Sequence, residues 1–185
     1  MTAYAITDSP LGYLLVAATA KGICAVRLGN VKRKLEQELK KEFESPARVQ
    51  HDKSLQKWNQ ALVHYLAGEK PWPLLPYDVQ ATVFQRRVWK WLRTIPAGKN
   101  YSYSEAAKAI GQPAAARAVA RACATNPAAL VIPCHRIVPK SGGVGGYRWN
   151  SSRKRKLLAL ERQSAGKNGA PRACPRYLNF KDRSG

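Results

Sequence analysis

The sequence predicts an α+β fold in two parts: a small N-terminal antiparallel sheet with helices, then a mainly helical domain containing a helix-turn-helix. Three observations carry this reading. Turn residues punctuate short apolar segments near the N-terminus, two amphipathic stretches follow, and a helix, glycine turn, helix pattern appears after residue 81. A length of 185 residues with 45% hydrophobic content supports one large or two small cores.

Ala3 to Thr7, Tyr13 to Ala18 and Ile23 to Leu28 read as strands, separated by a Ser9-Pro10-Leu11-Gly12 turn and a second turn near Lys21-Gly22. Together they form a meander. From Val31 to Phe43 the chain is charged and helix-favouring, with Val31, Leu35, Leu39 and Phe43 four apart on one face. A second helix spans about Asp52 to Leu66, with Leu55, Trp58, Leu62, Val63 and Leu66 inward and Gly68 just past its end. Residues 1–80 are thus an N-terminal α+β scaffold domain whose side chains read as core. Lys70 to Tyr77 hold three prolines, which forbid a helix and favour an extended connection.

Thr82 and Gln85 form a capping box that opens a helix through Val83, Phe84, Val88, Trp89 and Leu92, stopping before Pro96-Ala97-Gly98. Ser102 and Glu105 repeat the signature and open a helix from about Tyr103 to Ile110. Gly111-Gln112-Pro113 breaks it, and Ala114 to Ala124 resumes it. The second helix holds almost nothing but alanine around Arg117 and Arg121, so it is poor in side chains that read base edges in the major groove. Its small residues suit either sequence-independent docking in the narrower groove or tight packing on its own domain. Both readings stay open.

The apolar run Ala128 to Ile132 leads into Pro133-Cys134-His135-Arg136-Ile137-Val138 and then a glycine-rich segment from Ser141 to Trp149. A final helix covers about Ser151 to Arg162. Its Arg153-Lys154-Arg155-Lys156 cluster reads as a solvated or phosphate-facing surface. Residues 81–162 form the second domain, and 163–185 read as a basic, mobile tail.

Charge narrows the function classes. The net charge is +21, with 11 basic and 8 acidic residues in 1–80 against 21 basic and 3 acidic in 81–185. A polyanion bound by the second half is the expected partner. The longest apolar runs fall far short of the roughly 20 residues that a bilayer span needs. The first ten residues lack the positive start and apolar run of a secretory signal, so a cytoplasmic protein is expected. Cys24, Cys123, Cys134 and Cys174 are widely spaced without a C-x-x-C pair, and His51, His64 and His135 add no metal-ligand spacing. Neither disulfide framework nor metal is predicted.

Cys134 lies between a proline and a histidine. A thiol reacts as thiolate and needs a cation, a base or a helix N-terminus to lower its pKa from about 8.5. His135 can serve as that base, directly or through water. Cys24 and Cys123, among apolar neighbours, read as buried inert thiols. A Cys-His dipeptide alone is weak evidence, but its surroundings are far more specific. Asn126-Pro127, Ile132 to Val138 and Gly145-Gly146-Tyr147-Arg148-Trp149 resemble the signature of the O6-alkylguanine-DNA alkyltransferases, bacterial type. So do Phe84-Gln85 with Val88-Trp89, Arg93 to Gly98, Ser102-Tyr103 and Ala116-Arg117-Ala118-Val119. The resemblance covers about residues 1–162, most closely from 81 onward.

This resemblance implies a ribonuclease H-like first domain, a winged-helix-like second domain and direct-reversal DNA repair. The alkyl group of O6-alkylguanine in double-stranded DNA, with O4-alkylthymine as a further substrate, would pass irreversibly to Cys134 in a single turnover. His135, held by Glu161, would draw off the thiol proton through a water, and Asn126 would brace the turn. Tyr103 would donate to the guanine N3. Arg117 would fill the gap left by the flipped nucleotide from the minor-groove side, with Ser102, Ala116 and Arg121 also at the DNA. Carbonyls near Cys134 and Val144 would recognise the exocyclic amine, and Tyr103, Tyr147 and Arg148 would line the base pocket. No cofactor, membrane or obligate protein partner is implied; the expected state is a cytoplasmic monomer, on the nucleoid when bound to DNA. The N-terminal zinc module of the adaptive-response relatives is absent, so no methylation-triggered activator is expected. A plain DNA-binding regulator would leave Cys134, His135 and the glycine segment unexplained, and a cysteine hydrolase would need an oxyanion site the sequence does not offer.

Overall fold

The computed structural model describes residues 2–44, 46–48 and 52–167. Strands β1 (Ala3–Ser9), β2 (Gly12–Thr19) and β3 (Gly22–Gly29) form the antiparallel meander. The first turn closes tightly: the Ser9 hydroxyl donates to the Gly12 carbonyl at 2.6 Å, and Gly12 has φ +96°, a conformation that favours glycine. A two-residue strand β4 (Ala47–Arg48), too short to leave a sequence pattern, pairs parallel with β1 and makes the order β3-β2-β1-β4.

Period-two alternation gives the sheet two apolar faces. Helix α1 (Lys32–Glu42) lays Leu35 and Leu39 against Leu15, Ala17 and Ala25 on one face. Helix α2 (Lys53–Leu66) covers the other, packing Leu55 and Leu62 with Leu14, Val16 and Val26. Asp52 caps α2, accepting from the Leu55 N–H at 2.8 Å. Val31, expected on the buried face of α1, is instead 56% exposed. It occupies the N-cap with extended dihedrals, so the helical period starts only after it.

In the second half, helix α3 (Val83–Leu92) and helix α4 (Tyr103–Ala109) each open on a complete capping box, Thr82 with Gln85 and Ser102 with Glu105. Helix α5 (Ala116–Ala124) completes the helix-turn-helix. Val119 and Ala122 are buried, and the Trp89 indole donates to the Ala122 carbonyl at 2.9 Å. Strands β5 (Tyr101–Ser102) and β6 (Ile137–Val138) form a short parallel pair. Helix α6 runs Ser151–Lys167, five residues beyond its expected end, so the tail expected at 163–185 begins as helix; residues 168–185, Cys174 among them, lie outside the described residues.

The outer edge of β3 is not left open. The Ile23 N–H donates to the Pro76 carbonyl at 3.1 Å and the Ile23 carbonyl accepts from Asp78 N–H at 2.8 Å, while Val26 exchanges bonds with Pro127 and Ala129 at 3.0 and 3.2 Å. The linker and the segment leading to Cys134 therefore extend the sheet, and one apolar core runs through both halves.

Thr82→Ala, which removes one capping box at an exposed site, should cost about 1 kcal/mol, read as a lower urea midpoint with unchanged slope.

Candidate active site

The chain between α5 and β6 folds around one side chain. Asn126, fully buried, donates from Nδ2 to the Ile132 carbonyl at 2.9 Å and to Cys134 Sγ at 3.2 Å, while its Oδ1 accepts from Ala128 N–H at 2.9 Å. The loop so closed contains Leu130, a buried non-glycine residue at φ +68°. Such backbone strain persists only where the surroundings enforce it. Here the Trp72 indole donates to the Leu130 carbonyl at 2.7 Å and Ile132 N–H to the Ala128 carbonyl at 3.0 Å. Pro133 then leads into a single 3-10 turn, Cys134–Arg136.

That turn aims its three side chains inward. Cys134 is 4% exposed, and His135 and Arg136 are fully buried. His135 Nε2 lies 3.0 Å from Glu161 Oε1. Arg136 grips the same carboxylate through Nη2 at 2.7 Å and Nε at 3.1 Å, donates from Nη1 to the Ile95 carbonyl, and stacks over Trp72 at 4.5 Å. Gly98 N–H adds a bond to Oε2 at 3.1 Å and the Tyr65 hydroxyl one to Oε1 at 2.5 Å. Burial by itself would raise the Glu161 carboxyl, but His135 and the Arg136 guanidinium outweigh it and hold it well below the usual carboxylate range. Burial lowers His135 despite the opposing pull of Glu161, so the imidazole is neutral at pH 7. With Nε2–H donated to the carboxylate, Nδ1 keeps the lone pair; it is buried and has no partner among the described residues.

Burial also pushes the Cys134 thiol up, opposed by the Asn126 bond and by the charges of Lys154 and Arg148. The resting sulfur is a protonated thiol, and not the lowered one that the sequence reading sought. Tyr103, at the start of α4, is half-buried, and burial with the nearby Cys123 and Cys134 thiols raises its hydroxyl. Cys24 is buried and pushed up to about 11; Cys123 is half-buried and pushed up further, so neither is an activated nucleophile.

Tyr147 stands edge-on to Trp149 at 5.2 Å, its buried hydroxyl without a partner among the described residues. Arg148, expected at the pocket wall, reaches outward: it donates to the Asn126 carbonyl at 3.2 Å and to Glu42 of α1 at 3.0 Å. Lys154 corrects the view of 153–156 as a solvated surface. It is 1% exposed, and its Nζ donates to the Ile137 and Gly146 carbonyls at 2.6 and 3.2 Å, tying the glycine segment to β6. Arg153 is likewise engaged, with the Leu11 and Trp149 carbonyls, leaving Arg155 and Lys156 exposed. On α5, Arg117 and Arg121 are exposed and Ala116 is half-buried, so packing and an outward basic face coexist on one helix. The buried Ser102 spends its hydroxyl on its own capping box, accepting from Glu105 N–H and donating to Glu105 Oε2. Val144 is half-buried in the glycine segment.

Tyr65, Gly98, Arg136 and Lys154 are the site neighbours to which the sequence assigned no role. One signal was present for their hub: residues 81–162 contain only two carboxylates, and Glu105 is used in a cap, which leaves Glu161.

Comparison with known proteins gives a consistent result. The family described as 6-O-methylguanine DNA methyltransferase matches twice, its ribonuclease-like domain over residues 2–74 and its DNA binding domain over 83–163. The bifunctional transcriptional activator/DNA repair enzyme Ada of Escherichia coli is 44% identical over 162 residues, 87% of this chain and 46% of that protein, so the chain spans about half of that relative's length. The methylated-DNA–protein-cysteine methyltransferase of Mycolicibacterium paratuberculosis is 39% identical over 88% of this chain and 94% of its own. Among solved structures, the Mycobacterium tuberculosis O6-methylguanine methyltransferase matches with TM-score 0.75 at 35% identity, over 89% of this chain and 95% of that one. The DNA complex of the protein from the same organism gives 0.76, also at 35%, over 91% and 95%.

Glu161→Gln would leave Arg136 buried without its counter-charge and should cost about 3 kcal/mol or more in denaturant unfolding. Because the folded carboxyl sits below its unfolded value of about 4.3, its contribution is complete above that pH and fades on acidification. Below about pH 4 the parent should lose stability more steeply than the Gln variant.

Proposed function

The chain belongs to the 6-O-methylguanine DNA methyltransferase family, and from that premise we propose that it repairs DNA by moving the alkyl group of O6-alkylguanine irreversibly onto Cys134. The observation that carries this reading is the buried Cys134 thiol, bonded to Asn126 and adjacent in the chain to a neutral His135 backed by an ionised Glu161.

A stacked base hides its O6 atom, so the damaged nucleotide must leave the duplex, at a cost of a few kcal/mol that a weakened pair reduces. The exposed Arg117 on α5 fills the gap from the minor-groove side, with Arg121 beside the backbone. The extruded base enters between Tyr103, Tyr147 and the glycine segment around Val144. There the Cys134 proton passes to His135 Nδ1, directly or through one water, while Glu161 steadies the imidazolium that forms. The sulfur attacks the alkyl carbon, the new S–C bond replaces the C–O bond, and Tyr103 donates a proton to N3 of the departing guanine. A resting neutral thiol suits this order: the soft nucleophile is uncovered only when substrate and base are both in place. The thioether is stable, so each molecule acts once, and the chemistry calls for no cofactor.

Residues 1–80 act as scaffold and 81–162 as the DNA-binding and acceptor domain. No helix among the described residues is long and apolar enough to cross a membrane, and a DNA partner supports the cytoplasmic location expected from the sequence.

A duplex with one O6-methylguanine, radiolabelled on the methyl, should deposit one label per molecule on Cys134 without turnover. Cys134→Ala should bind the duplex yet accept nothing, and Cys123→Ala should transfer like the parent. Arg117→Ala should slow transfer by about tenfold or more with a smaller loss of binding. Tight binding by the parent with no label transferred would instead identify a sensor or regulator of alkylated DNA.

A further inference from the structure

Tyr65 ends up in the site from 96 residues away. It lies in the last turn of α2, 3% exposed, and its hydroxyl donates to Glu161 Oε1 at 2.5 Å. The same oxygen accepts from Arg136 Nη2 at 2.7 Å and from His135 Nε2 at 3.0 Å, while Oε2 takes Gly98 N–H and Arg136 Nε, each at 3.1 Å. Packing does not explain the hydroxyl. A phenylalanine would fill the same core volume among Leu62, Leu66 and Leu157, without bringing a polar atom that must be desolvated. Ionic pairing does not need it either, because Arg136 already grips both carboxylate oxygens.

We infer that Tyr65 is a positioning residue for alkyl transfer: from the scaffold half of the chain, its hydroxyl fixes the Glu161 oxygen that holds His135 and sets how strongly that oxygen draws the imidazole proton. This rests on the transferase reading above. The ionisable groups around His135 are Glu161 and Lys154 from α6, Arg136 and Cys134 from its own turn, and Tyr65 from α2, with Tyr147 close to Glu161. Of these, Tyr65 is the uncharged donor sharing Oε1 with His135. Each added donor on one oxygen withdraws electron density from it; without the Tyr65 donor the oxygen pulls harder on His135 Nε2–H and favours the imidazolium. Higher pH is then needed to keep Nδ1 free as base.

Two changes at position 65 should act in opposite directions. In Tyr65→Phe the acid limb of the methyl-transfer rate should move up by about half a pH unit, and the His135 Nε2–H proton resonance should move downfield as its bond to Glu161 strengthens. With 3-fluorotyrosine installed at position 65 alone, a stronger donor of nearly the same shape, both should move the other way. The chain has three histidines, so the resonance is assigned by His51→Gln and His64→Gln. An unchanged His135 resonance and acid limb in both proteins, with only the urea midpoint altered, would reduce Tyr65 to core packing. If Tyr65→Phe does not fold, the fluorotyrosine protein decides in the same way. Should the parent transfer no methyl, the transferase reading falls, while the His135 resonance still decides whether Tyr65 tunes the Glu161 bond.

Discussion

A single buried carboxylate organises this molecule. Glu161 is 1% exposed, and in such a medium an ionised carboxylate persists only when cations and donors surround it. Arg136 supplies the charge, which fixes the 3-10 turn holding Cys134 and His135. Gly98 must come close enough to donate its backbone N–H, and at φ +83° a Cβ there would stand 2.9 Å from the Ala165 Cβ and 3.1 Å from the Glu161 carbonyl. The turn after α3 is therefore shaped by the same group that steadies the imidazole.

A second, subordinate constraint keeps the thiol in place. Asn126 closes the loop to Ile132, and the left-handed Leu130 inside it is held by Trp72 from the linker. Beyond β6, Lys154 bonds the carbonyls of Ile137 and Gly146, so the glycine segment is anchored at its end nearest Tyr147. Arg148 adds an outward brace to Glu42. The reacting group sits on irregular backbone, and the buried Asn126 and Lys154, with Trp72, give that backbone the rigidity that regular structure provides elsewhere.

Local chemistry was legible in the sequence. Both capping boxes and the turns of the meander are set by residues within three or four positions of one another, and they appear where pattern places them. The residues around Cys134 were found through their resemblance to a family, and Asn126, His135 and Glu161 do meet there. Contacts between distant segments were not legible. Tyr65 was not among the inward positions read for α2, and Lys154 looked like its three basic neighbours, because periodicity cannot say which member of a charged run faces two bare carbonyls. The length of α6 and the two-residue strand β4 were missed for the same reason. Each is decided by what it packs against.

The bonds between Val26 and the Pro127–Ala129 segment make the reactive stretch a continuation of the scaffold's own sheet. Homologous recombination between members of such a family would thus meet a register requirement at this seam. A donor second half must present its carbonyl and N–H opposite residue 26 in the same phase, or its nucleophile loop arrives displaced. Exchange of halves by descent is restricted to partners that share this spacing and that keep a linker able to pair with Ile23 and to bring an indole to the Leu130 carbonyl.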